Sequence, residues 1–219
     1  MTYLNLVNGV LRRLREDEVT TVQESAYSKL IGDLVNDAKE MIESAWDWTA
    51  LRTDSALPLT ISTTSGDFTY SLVGSGDKGK LLSLINDTSN LQMSYQTAAW
   101  FDNKFLVQTP ASGAPEYFTY NGVDANGDIQ IDVYPKPDGV YVLKSRIVIR
   151  KTALSIDTDV LAIPSQPVLH LSLALAARER GETGGSSAGE FFAIADKYLS
   201  DAIALDAEKH PEDVTWYTP

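Results

Sequence analysis

Several stretches of this 219-residue sequence carry residue types and spacings that chemistry uses. Gly74-x-Gly76-x-x-Gly79 has the form of a dinucleotide loop, whose glycines let the backbone close on a pyrophosphate held at a helix N-terminus. That mechanism needs a strand before the loop and a helix after it. Leu81-Leu82-Ser83-Leu84-Ile85 is instead short and β-like, with no βαβ rhythm around it, and a hairpin loop is expected. Asp124-x-Asn126-x-Asp128 opens like a calcium loop. Its sixth position is Ile129 where Gly belongs, and its twelfth is Pro135 where Glu belongs, so a turn rich in Asn and Asp is expected. His170 and His210 have no HExxH or comparable partner, and the absence of Cys excludes thiolate metal sites and disulfides. Ser165, Ser172, Ser186 and Ser187 stand in no GxSxG elbow. Asp157/Asp159 and Glu212/Asp213 pair carboxylates, but nothing in their spacing separates an acid from a base. The expectation is no catalytic residue, no cofactor and no metal, and thus not an enzyme.

The bulk composition points the same way. Thirty acidic residues against 18 basic ones give a net charge of −12. Reading nucleic acid needs a basic face that displaces counterions from phosphates, and an anionic membrane surface needs the same. An acidic surface keeps a chain soluble, and it also repels DNA that must slide past without sticking. The N-terminus lacks the basic start and apolar run of a signal peptide, and the longest apolar stretch, Val168 to Ala177, is far too short to span a membrane. An intracellular, soluble protein is expected.

The elements that would position such residues read helix, sheet, helix. Residues 2–15 place Tyr3, Leu4, Val7, Val10, Leu11 and Leu14 on one face, with Thr2 as N-cap. A longer helix over about 22–48 carries one stripe from Tyr27 through Met41 to Trp46, and Thr21 and Glu24 have capping-box spacing. From 56 to 152 short β-forming runs alternate with turn residues, as at Phe68–Val73, Lys80–Ile85, Leu91–Tyr95, Glu116–Tyr120, Ile129–Tyr134 and Tyr141–Lys151. Asn121-Gly122 and Asn126-Gly127 favour tight turns. Ser165 is placed to cap an almost wholly apolar helix of about 166–180, and Ser187 with Glu190 to box the last one. The expected class is α+β: a helical bundle domain of residues 1–55 and 153–210, an inserted antiparallel β-rich domain of 56–152, and a tail of 211–219.

A few residues are candidates for contacts with other chains. Arg12, Arg13 and Arg15 form a basic knot at the end of the first helix, which either compensates the helix dipole and pairs with Glu16–Glu18 or meets an acidic neighbour. Trp48 is either a lid on the core or a contact residue. Trp216 and Tyr217 belong to no helical stripe, and an exposed aromatic tail needs something to receive it, on its own domain or on a partner. Tyr95, Trp100, Phe101, Phe105, Tyr117, Phe118 and Tyr120 are compatible with a glycan-binding β module on a helical base, or with ordinary sheet core.

Taken together, Leu6 to Arg15, then Tyr27 to Lys39, then Ala45-Trp46-Asp47-Trp48-Thr49-Ala50-Leu51-Arg52, with Tyr134-Pro135-Lys136-Pro137-Asp138 in the β region and two closing helices, resemble the head-to-tail adaptor (connector) proteins of short-tailed phages. The resemblance implies a virion structural protein that forms a homo-oligomeric ring of 12 copies between the portal protein and a tail nozzle or hub. DNA would pass through the ring without sequence-specific binding, and no membrane is involved. It further implies that the C-terminal segment, with Pro211, Val214, Trp216 and Tyr217, meets the portal, and it leaves Arg12, Arg13, Arg15 and Trp48 as subunit-contact candidates. A tail-completion or tail tube protein of the same kind of virion is the other reading of these residues.

Overall fold

The computed structural model describes residues 1–53, 58–181 and 186–210. Contacts divide the chain into two units, Met1–Leu51 with the chain from Lys151 onward, and Arg52–Arg150. Each has its own core.

In the first unit, α1 spans Tyr3–Arg13 and is capped as expected, the Thr2 hydroxyl accepting the Asn5 N–H at 3.3 Å. Its buried face is Tyr3, Leu6, Val7, Val10 and Leu11. The second helix, α2, spans Ala26–Ala45 and starts later than Thr21 and Glu24 imply. Two serines form the box instead: Ser25 Oγ accepts the Ser28 N–H, and Ser28 Oγ accepts the Ser25 N–H, both at 3.0 Å. Glu24 is drawn away to the Thr20 N–H and hydroxyl, at 2.6 and 2.9 Å. The two helices approach closely at Gly32, where a Cβ would collide with the Tyr3 hydroxyl and lie 2.9 Å from Val22 Cγ1.

After the β unit the chain returns as a strap over residues 151–161, held by polar groups of α1 and α2. Asn36 clasps the Leu154 backbone at both ends, its Nδ2 donating to the carbonyl at 3.0 Å and its Oδ1 accepting the N–H at 2.8 Å. Asp157 Oδ1 accepts the Val22 N–H at 2.9 Å, and the Tyr3 N–H donates to the Asp159 carbonyl at 2.8 Å. Helix α4, Ser165–Glu179, follows. Ser165 is its first residue and not its cap; Pro164 holds the cap position with an extended ψ of 130° and no side-chain bond. Pro167 then falls in the first turn, where its missing N–H has no intrahelical partner to lose. Helix α4 buries an unbroken run from Leu171 to Ala177 against α1, α2 and α5 (Ser186–Ala207), as a helix apolar on all sides must. Ser187 lies inside α5, one residue past its start.

The second unit is two four-stranded sheets. One has the order β1 (Leu59–Ser62), β8 (Val142–Val148), β3 (Lys80–Asn86), β4 (Leu91–Gln92). The other has the order β2 (Thr69–Ser71), β7 (Ile129–Tyr134), β6 (Tyr117–Val123), β5 (Ser94–Tyr95). Alternation puts Leu81, Leu84, Leu143 and Ile147 of the first sheet into one core with Phe118, Ile129, Ile131 and Val133 of the second. The run Leu91–Tyr95 is one strand by sequence and two in the fold. Leu91–Gln92 pairs with β3, Met93 is buried at the crossing, and Ser94–Tyr95 pairs with β6 of the other sheet. That last pairing is parallel, whereas the other strand pairings among the described residues are antiparallel. Asn121-Gly122 makes no hairpin turn. It forms a bulge within β6, where the register against β7 slips and Gly122 takes φ 84°. Asn126-Gly127 does turn the chain, with Gly127 at φ 85°.

Candidate assembly surfaces

The segments that imitate chemical motifs are built into the fold. The Gly74-Gly79 loop presents the Gly74 and Gly76 N–H groups to an anion, and that anion is the protein's own Asp128 carboxylate, at 3.0 and 2.9 Å. Gly76 has φ 64° and Gly74 φ 88°, which only glycine adopts freely. Gly79 is packed so tightly that a Cβ would stand 2.8 Å from the Ser75 carbonyl oxygen. Asp124 Oδ1 accepts the N–H groups of Asn126 and Asp128 at 2.8 and 3.0 Å, an Asx turn, and these bonds hold its carboxyl below the ordinary value of 3.8 against a weaker pull from burial. Asp128→Ala is expected to cost about 2 kcal/mol, because two N–H groups lose a charged acceptor. Denaturant titration checks this, and added Ca²⁺ is expected to leave the wild-type midpoint unchanged.

The other titratable candidates also have structural partners. Asp159 Oδ2 accepts the Ser155 and Ile156 N–H groups at 2.7 and 3.0 Å. Ser172 is buried and donates to the Val168 carbonyl at 2.6 Å. His170 stacks on Tyr198 with ring centroids 4.4 Å apart, and burial, then the Arg13 charge, push its pKa below 6.5. Among the described residues no group of three His, Asp or Glu side chains stands where it could share a metal ion. Nor is any helix long and apolar enough to cross a membrane, among those residues.

The candidate contact residues separate. Arg13 Nη1 donates to the Gly9 carbonyl at 2.8 Å, and Arg12 meets Glu18 at 3.3 Å, so both serve the end of their own helix. Arg15 is exposed, with φ 60°, just past α1. A further arginine, unmarked in the sequence reading, completes the knot from α4: Arg180 pairs with Glu16, donates to the Leu14 carbonyl at 3.2 Å and lies over the Tyr27 ring. Of the two readings of Trp48, the structure describes the lid on the core. It is 1% exposed and donates its indole N–H to the Ile42 carbonyl at 2.8 Å, so the ring is used up inside its own unit. Pro211, Val214, Trp216 and Tyr217 lie outside the described residues.

The aromatic row divides: Phe101 and Phe118 are buried, Trp100, Phe105 and Tyr117 half-buried, and Tyr95 and Tyr120 exposed. Trp100 packs on Phe101, Tyr117 and Tyr134 with centroids 5.1–5.3 Å apart, and Lys104 Nζ stands 5.5 Å from its ring centre. Lys104 belongs to the one-turn-wide coil Asn103–Val107 that follows α3 (Ala98–Asp102), and Leu106 beside it is 80% exposed.

Apolar surface is open elsewhere. Met41 reads as core in the α2 stripe but is 54% exposed. It stands between two adjoining hollows, one lined by Leu34, Asp37 and Leu175, the other by Leu171, Phe192 and Asp196. The α5 stripe likewise buries Ala195 but leaves Ile194 and Tyr198 about two-fifths exposed and Leu205 65% exposed. Charge is divided unevenly as well. Residues 1–51 and 151–219 hold 20 acidic and 10 basic residues, and residues 52–150 hold 10 and 8. These surfaces are apolar, aromatic or charged, and suited to contact with other chains.

No curated protein matches the chain. The model of the SU10 adaptor protein family matches residues 1–217, in accord with the adaptor resemblance of its helices and turns, and the chain belongs to that family of phage structural adaptors.

Proposed function

We propose that this virion structural protein is the head-to-tail adaptor, a ring of 12 copies that joins the portal to the tail nozzle and passes DNA. The observation that carries the reading is the family match over residues 1–217, since it covers both units at once. The division of charge supports the conduit role. A net −10 in the helical unit against −2 in the β unit favours acidic helices along the bore, where phosphates must not be gripped. The open apolar strips of α2 and α5 supply the area that a ring contact needs. The helical unit then meets portal and neighbours, and the β unit meets neighbours and tail.

Negative-stain imaging of the purified chain with and without portal tests this directly. Rings on the portal are expected; co-purification with a tail tube and not with portal would sink the reading. The tail carries its own prediction. A chain ending at His210 is expected to keep the wild-type unfolding midpoint and to lose portal association. Trp216→Ala alone is expected to weaken that association by more than about tenfold, as for an aromatic anchor in a desolvated pocket. Unchanged binding by the truncated chain would remove the tail from the portal interface.

A further inference from the structure

The two sheets of the β unit differ in charge. Strands β1, β8, β3 and β4 contain Lys80, Lys144 and Arg146 and no acidic residue, whereas β2, β7, β6 and β5 contain Asp132 and no basic one. On β8 the side chains of Leu143, Ser145 and Ile147 point into the core, so Lys144 and Arg146 stand on the opposite, outward face. Register places Ile85 of β3 beside Lys144 on that face, and Ile85 is 42% exposed. The result is a face with two cations beside an apolar residue, Arg146 exposed and Lys144 half-exposed and paired with the Asp87 carboxylate at 2.8 Å, in a chain of net charge −12.

The Met41 hollows of the helical unit have the opposite character. Their floor is apolar, with Leu34, Leu171 and Phe192, and their rim carries the exposed carboxylates Asp37 and Asp196. Among the described residues Arg178 is the one cation lining them, and its guanidinium stands over the Phe192 ring, 5.9 Å from its centre. An apolar centre with a charged rim is the usual anatomy of a protein contact, and complementary rims set its register.

We infer that the outward β1-β8-β3-β4 face of one copy, through Lys144, Arg146 and Ile85, docks on the acidic-rimmed Met41 groove of a second copy. The inference rests on the ring reading above and assigns its subunit faces. Two different faces in contact make a head-to-tail interface, which closes into a ring where the rotation permits. The carboxylates of the groove are thereby shared with basic groups at each contact, while the remaining acidic helix surface stays free to repel DNA.

A charge exchange tests the pairing: Arg146, Asp37 and Asp196 are exposed, and Lys144 is half-exposed and paired with Asp87, so the unfolding midpoint of each variant is measured beside its assembly. One variant carries Lys144→Glu and Arg146→Glu, the other Asp37→Lys and Asp196→Lys. Oligomerisation is followed by sedimentation velocity in free solution and by imaging on heads assembled without this chain. Each variant alone is expected to need at least about tenfold more protein than wild type to assemble, and an equimolar mixture to assemble like wild type. In the mixture each reversed face finds a reversed groove. The chain has no Cys, so mixing Ile85→Cys with Met41→Cys chains gives a second readout, a covalent dimer under oxidation. If wild-type rings form and the charge variants assemble equally well alone, or the mixture stays impaired, this pairing of faces is overturned and the ring reading stands. If wild type forms no oligomer, free or on heads, the ring reading falls and this pairing with it.

Discussion

Lys39→Met is expected to cost about 3–5 kcal/mol of folding stability, the largest single loss in the helical unit outside its apolar core. Lys39 and Glu43 are one turn apart on α2, and both side chains face inward, 4% and 2% exposed. Lys39 Nζ stands 3.1 Å from Glu43 Oε1 and donates to the Lys151 carbonyl at 2.7 Å, where the chain re-enters the helical unit. Glu43 Oε1 is buried and accepts no hydrogen bond among the described residues, and the Lys39 ammonium beside it balances its charge. Removing the cation leaves a carboxylate without water or counter-charge, which costs far more than the pair contributes. The double variant Lys39→Met/Glu43→Leu is expected to regain most of the loss, because it removes both charges and keeps the volume. Denaturant unfolding of wild type, the single variant and the double variant makes the comparison. A single-variant loss under about 1 kcal/mol would mean that water reaches the site and the pair behaves like a surface one.

That pair also shows what a sequence does and does not disclose. Lys39 reads as a polar residue on the outer side of α2, and Met41 as core. The fold exchanges them: Lys39 is buried and Met41 is 54% exposed. Periodicity tells which residues share a face, but a stripe wider than its partner helix leaves apolar residues outside, and an inward cation is acceptable only when a counter-ion and a carbonyl await it. The counter-ion, Glu43, is local in sequence but the carbonyl is not; Lys151 is more than a hundred residues from Lys39. The same distance hides Asp128 as the anion of the Gly74–Gly79 loop and Arg180 as the partner of Glu16.

What was legible depended on local chemistry. The helices at both ends, the Thr2 cap, strands β7 and β8 and the Asn126-Gly127 turn follow from side-chain period and turn residues. The capping box moved to Ser25 and Ser28 because a hydroxyl that is also held by the Val22 carbonyl outcompetes the looser pairing of Thr21 with Glu24. The division of Leu91–Tyr95 between two sheets leaves no trace in alternation, since Met93 points into the shared core from either pairing. The assembly surfaces were the least legible part. An interface is chosen by what a face lacks, and Met41, Ile194 and Leu205 reveal that lack only once their own unit is packed.

Asp206→Ala is expected to cost about 3 kcal/mol, and its effect is expected to shrink in acid. Asp206 lies near the end of α5 and is 5% exposed. Its Oδ2 accepts the Thr49 N–H at 2.9 Å and the Trp46 indole N–H at 3.2 Å, and its Oδ1 meets Lys209 Nζ at 3.0 Å. One carboxylate thus ties the last helix to the segment where α2 ends and the chain leaves for the β unit. Burial alone would raise its pKa; the Thr49 N–H and the Lys209 ammonium outweigh burial and hold it below 3.8. A depressed carboxyl binds protons less readily folded than unfolded, so its contribution is whole above pH 3.8 and is lost as pH falls through the folded value. Unfolding curves of wild type and Asp206→Ala should therefore lie far apart at neutral pH and draw together below pH 3.8, leaving the smaller gap that a neutral acceptor supplies. Asp206→Asn, which keeps acceptors for Thr49 and Trp46 but no charge for Lys209, is expected to fall between them at neutral pH. A gap between wild type and Asp206→Ala that persists unchanged through the acid range would show that volume, and not charge, makes this residue hold the end of α5.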